Sequence, residues 1–100
     1  MSMTYVYFAQ ATPDHVKIGH AGNPWARMLD LQCANWHELR VIATVKCESK
    51  YAAYHLEARL HRELSEHKIR GEWFRFTEEV QQRMAMVCGE EIYTRAMVEP

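Results

Sequence analysis

Hydrophobic and polar positions divide the chain into short strand-like and helix-like stretches. Aromatic and β-branched residues fill Tyr5–Ala9 and His15–Gly19, and Thr12-Pro13-Asp14 between them supplies turn chemistry, so the two runs read as a hairpin. Gly22-Asn23-Pro24 starts a helix, because Asn can cap the free amides and Pro fits the first helical position without losing a bond. That helix is expected from Pro24 to about Ala34, with Trp25, Met28, Leu29 and Gln32 or Cys33 facing inward at helical spacing.

Leu39–Cys47 alternates and is rich in Val and Ile, which predicts a third strand with Leu39, Val41, Ala43 and Val45 on one face. Ser49 opens a helix to about Ser65, whose buried stripe is Ala53, Leu56, Leu60 and Leu64, while Arg59, Arg62 and Glu66 face water. Gly71 ends the connection and Glu72–Phe76 is extended. Thr77, Glu78 and Glu79 cap a last helix to about Cys88, where Gly89 breaks it before a short tail. The order β-β-α-β-α, then an extended Glu-Trp-Phe segment and a C-terminal helix, predicts an α/β (α+β) domain with a small antiparallel three-stranded sheet flanked by helices. No repeat or linker divides it, so residues 1–100 are expected to form one domain, with its core at about 5–76 and a helical extension at 77–100.

Composition narrows the function. With 100 residues, 48% of them apolar, the chain suits one modest core and has no room for a second. A net charge of -1 and a pI near 6.6 argue against a protein that coats nucleic acid unaided, so any such contact must come from local charge. Three widely spaced cysteines without a CxxC pair predict neither a disulfide framework nor a cysteine zinc finger, and the expected compartment is the cytoplasm. No apolar run reaches membrane-spanning length.

Several residues together carry a resemblance. The strand Tyr5-Val6-Tyr7, the strand ending Lys17-Ile18-Gly19, Arg27 on the first helix, and Leu56-Glu57 with His61 on the second resemble the ordered motifs of the GIY-YIG nuclease superfamily. They are most similar to its phage-type branch, whose second triplet is commonly written with Lys and in which Glu72-Trp73-Phe74 recurs after the glutamate helix. The resemblance implies a metal-dependent endonuclease acting on DNA, or on RNA. In that scheme Tyr7 orients or activates the attacking water, Lys17 supports the proton transfer, and Arg27 and Glu57 complete the catalytic set. Glu57 holds Mg²⁺ or Mn²⁺, and Tyr5, Gly19, His20 and His61 are auxiliary.

Physical chemistry offers independent support for a phosphate site, and bland alternatives. A cation in the first turn of a helix is mildly disfavoured by the macrodipole, so Arg27 invites a bound anion; a surface pairing with Asp30 would also explain it. Glu57 lies about 100° round from Leu56, at the edge of the buried stripe, where it can reach a cleft or merely pair with His61. One carboxylate suffices for an ion that keeps much of its water. Tyr7 and Lys17 share a sheet face if residue 7 lies opposite 17, a register that needs the five-residue loop Gln10–Asp14. Otherwise Tyr7 is a half-buried strand aromatic and Lys17 a charge guarding an edge. Among the six histidines, His55 and His67 read as solvent-facing, and His15 and His20 flank the second triplet on opposite faces. A zinc site of Glu57, His61 and a hairpin histidine is the lesser reading of that region.

A second class of function also fits the residues, a non-catalytic module binding DNA or a protein through Trp36, Trp73 and the Met-rich last helix. Without an appended DNA-binding module, affinity for long DNA should be low and salt-dependent, and targeting falls to a protein partner or to self-association.

Overall fold

The computed structural model describes residues 3–33 and 36–89. Along the chain they form β1 (Thr4–Thr12), β2 (His15–Ala21), α1 (Pro24–Gln32), β3 (Arg40–Cys47), α2 (Lys50–Glu63), β4 (Lys68–Arg70), β5 (Trp73–Arg75) and α3 (Glu78–Cys88), with one 3-10 turn at Ser65–His67. The expected end of α1 at Ala34 and the tail after Gly89 lie outside the described residues.

The class is α/β with an antiparallel sheet, as the pattern predicts, but the sheet has five strands where three were expected, in the order β3-β1-β2-β5-β4. Two are only three residues long. Lys68-Ile69-Arg70 is exposed throughout, so it shows no alternation to read. It pairs with β5 through a tight turn in which Gly71 takes φ +57°, a conformation that strains any residue with a Cβ.

The β1–β2 hairpin is longer and tighter than expected. Only Pro13 and Asp14 separate the strands, and Tyr7 lies opposite Gly19 while Lys17 lies opposite Ala9. Because this register differs from the expected one by two residues, Tyr7 and Lys17 still share a face. β3 departs from strict alternation. Phe8 faces Ala43 but Ala9 faces Val41, which makes Ile42 the extra residue of a bulge. The expected one-faced set therefore splits, with Leu39 and Val41 packing on one side of the sheet and Ala43 and Val45 on the other.

β1 is buried on both faces from Val6 to Ala9. On one side Val6, Phe8, Val16 and Ile18 meet Ala53, Leu60 and Leu64 of α2 and Val80, Met84 and Cys88 of α3. On the other, Tyr7 and Ala9 meet Met28 of α1 with Leu39 and Val41. Each fully buried Leu, Val or Phe contributes about 1.5–3 kcal/mol, so the α2/α3 side carries most of the stabilisation. α1 is attached more thinly than its pattern suggested. Asn23 and Pro24 fix its entry so that Pro24 and Met28 are buried, which turns Trp25 (48% exposed) and Leu29 (73% exposed) outward. The stripe of α2 is as expected, and Ser49 caps it by accepting the Ala52 amide.

Candidate active site

Tyr7 points from β1 toward the α1 side and is buried. A Cβ on Gly19, its partner across the hairpin, would lie 2.7 Å from the Tyr7 hydroxyl oxygen, 2.8 Å from its ring and 2.9 Å from Glu72 Oε1. The bare backbone at Gly19 is what lets a phenol and a carboxylate lie together over β2.

Arg27 arrives from α1. Asn23 Oδ1 accepts the Ala26 amide at 3.1 Å and Pro24 occupies the first turn, which holds Arg27 near the end of β2. Its guanidinium donates to the Tyr7 hydroxyl. With His20, Gly22 and Lys50 it also lines an open hollow of about 510 Å³. Lys17 guards no sheet edge, because β5 covers β2 there. Its Nζ donates to Glu72 Oε1 at 2.9 Å and lies 5.9 Å from the centre of the Trp73 ring.

Glu57 approaches from the α2 layer. Its Oε1 lies 2.5 Å from His20 Nδ1 and its Oε2 lies 3.5 Å from His61 Nε2. His61 Nε2 donates to the Ile18 carbonyl at 2.9 Å, which fixes its ring against β2. β5 leaves β2 near here: its last link is the Ile18 amide donating to the Glu72 carbonyl.

The electrostatics converge on one hydroxyl. Burial, then the charge of Glu72, pushes the Tyr7 pKa up from 10.0 to about 12; Glu57 adds to the rise, while the charge and hydrogen bond of Arg27 oppose it. The phenol is neutral across the ordinary pH range, with Glu72 beside it and the charges of Arg27 and Glu57 acting on it.

Of the residues singled out in the sequence, Tyr7 and Gly19 meet directly with Arg27 bearing on the phenol, and Lys17 joins them through Glu72; Glu57 forms a separate cluster with His20 and His61 in the α2 layer and reaches Tyr7 only through its charge. Tyr5 stands aside, edge-on to Trp25. Lys50 escaped the sequence reading, and Glu72 was marked only as the start of the Glu72-Trp73-Phe74 motif, with no part in the site. Glu72 follows the turn glycine with no periodicity to mark it, and only the fold sets it against Lys17. His67 is not solvent-facing as expected: it lies against Glu79 and Thr77 at the start of α3.

Among the described residues no group of three or more His, Cys, Asp or Glu is arranged to hold a metal ion, which leaves the zinc reading without a ligand set. The Glu57 carboxylate, a hard oxygen donor with its side chain 14% exposed, fits an ion that needs few protein ligands.

The family model of the T5orf172 domain matches residues 3–88, from the start of β1 to the end of α3. The chain belongs to the T5orf172 domain family. T5orf172 domains are phage-associated and related to nuclease-like folds, and membership points to a nuclease-like or DNA-binding role. No curated protein and no solved structure matches this T5orf172 domain. No helix among its described residues is long and apolar enough to cross a membrane.

Proposed function

We propose that this T5orf172 domain is a metal-dependent endonuclease of the GIY-YIG type that hydrolyses DNA phosphodiester bonds in the cytoplasm. The observation that carries the proposal is the buried Tyr7 hydroxyl packed with Glu72 over the bare backbone of Gly19, with the charges of Arg27 and Glu57 bearing on it. A buried phenol with this much charge around it is costly for a structural role that Phe could fill.

Each group has a task in phosphoryl transfer. Arg27 takes the scissile phosphate on its guanidinium fork and neutralises the charge that grows on the equatorial oxygens. Tyr7, kept neutral, orients the attacking water through its oxygen. Lys17, steadied by Glu72, supports the removal of the water proton. Glu57 would hold Mg²⁺ or Mn²⁺, with His20 and His61 orienting its carboxylate. When bound, that ion supplies Lewis-acid stabilisation of the leaving oxygen. RNA shares the phosphate chemistry and is the alternative substrate; a protein partner or a second copy would supply targeting that a net charge of -1 does not.

One observation favours a second reading, a module that binds DNA or protein without cutting. Both Glu57 oxygens already have histidine neighbours, as expected of a carboxylate satisfied within the fold. Incubating supercoiled plasmid with Mg²⁺ or Mn²⁺ separates the two. The nuclease reading expects nicked or linear product, reduced about a hundredfold or more in Arg27→Ala and in Glu57→Ala. An inert wild type that still retards DNA on a gel would establish the binding module instead.

A further inference from the structure

Around the hollow that Arg27 and Lys50 line, the surface carries aromatic rings that the core does not use. On the α1 side Trp25 is 48% exposed and is steadied by Tyr5, edge to face at 6.4 Å. On α2, one turn beyond Lys50, Tyr54 is 56% exposed and stands edge-on at 6.3 Å to His20, which lines the hollow. His55 continues the series, 5.5 Å from Tyr54 and 4.3 Å from Tyr51. Edge contacts restrain such rings while leaving ring surface open, and a restrained ring loses little entropy when something stacks on it.

Exposed rings on the two helices that bring Arg27 and Lys50 to the hollow fit a particular ligand. Cations take the phosphates of a single strand while its bases lie flat on aromatic side chains, and every base has a face to offer. The bases of a duplex are stacked on one another and cannot reach the rings. The weak overall charge points the same way, since a net charge of -1 gives little purchase on the dense phosphates of a duplex, whereas stacking needs no net charge.

We propose that this face binds unpaired nucleic acid, with bases on either side of the bound phosphate stacking on Trp25 and Tyr54. The substrate class is then a single strand, a flap, a bubble or a loop rather than uniform duplex. The inference rests on the reading of the Arg27 hollow as a nucleic-acid phosphate site.

Anisotropy of labelled oligonucleotides, measured with chelator present so that nothing is cut, tests it. A thymidine single strand and a hairpin with a long loop should bind more tightly than a blunt duplex of equal length. Trp25→Ala and Tyr54→Ala should each weaken single-strand binding about tenfold and leave duplex binding and the melting temperature unchanged. Duplex binding as tight as single-strand binding overturns the proposal, and so does single-strand binding that ignores both substitutions. Sedimentation that shows a dimer dissolved by those substitutions overturns it in favour of a second copy on the rings. Because cutting plays no part, a chain that holds single strands but never cleaves sinks the nuclease reading and keeps this one. A chain that cleaves duplex plasmid and ignores single strands does the reverse.

Discussion

Glu72 sets the state of the site at the scale of single residues. It is the second cause of the raised Tyr7 pKa, after burial, and the partner of Lys17. Glu72→Gln should therefore lower the Tyr7 pKa from about 12 while leaving it above 10.0, as followed by ultraviolet absorbance of the tyrosinate. The sign for stability follows. Folding favours the neutral phenol, so this contribution is complete below the unfolded value of 10.0 and is lost as pH climbs through about 12. Gly19→Ala is a harsher change, because the new methyl would sit 2.7 Å from the phenol oxygen and 2.8 Å from a buried ring that cannot swing away. It should lose about 1–3 kcal/mol in urea denaturation by overpacking, and plasmid cutting should fall with it. The sequence displayed Tyr7, Lys17, Arg27 and Glu57 as members of ordered motifs. It displayed Glu72 only as the start of the Glu72-Trp73-Phe74 motif and gave it no role, because its contacts with Lys17 and Tyr7 exist only once β5 is folded beside β2.

Among the elements, strands and helices with a long periodic pattern were legible: β1, β2, β3, α2 and α3 all stand where alternation or helical spacing puts them. β4 was not, since three exposed residues carry no period. The bulge at Ile42 and the outward turn of α1 also escaped, for a shared reason. A bulge and a capped helix entry each rotate the residues after them, and periodicity gives spacing without that phase. A tie between α2 and α3 has a pH signature of its own. Arg59 donates to Glu63 Oε2 at 3.2 Å and Arg83 to Glu63 Oε1, and these hydrogen bonds hold the Glu63 carboxyl below its usual 4.5. That contribution is present above pH 4.5 and disappears as pH falls through the lowered value. Glu63→Gln should accordingly lower the melting temperature slightly at neutral pH and leave it unchanged in acid.

The whole molecule is a sheet filled unequally on its two sides. α2 and α3 lock one face with most of the apolar core, while α1 holds the other through Pro24 and Met28. Opening need not be global, because a segment with few buried contacts parts at lower free energy than the body it rests on. Amide hydrogen exchange should show α1 losing protection well ahead of β1 and β2, which pair along most of their length; equal protection in the three elements would refute it. Arg27 and Glu57 thus ride on two bodies of unlike stiffness. If a phosphate binds Arg27 as proposed, it would tether the looser body to the firmer one, and α1 should then exchange its amides more slowly with the ligand bound than without it.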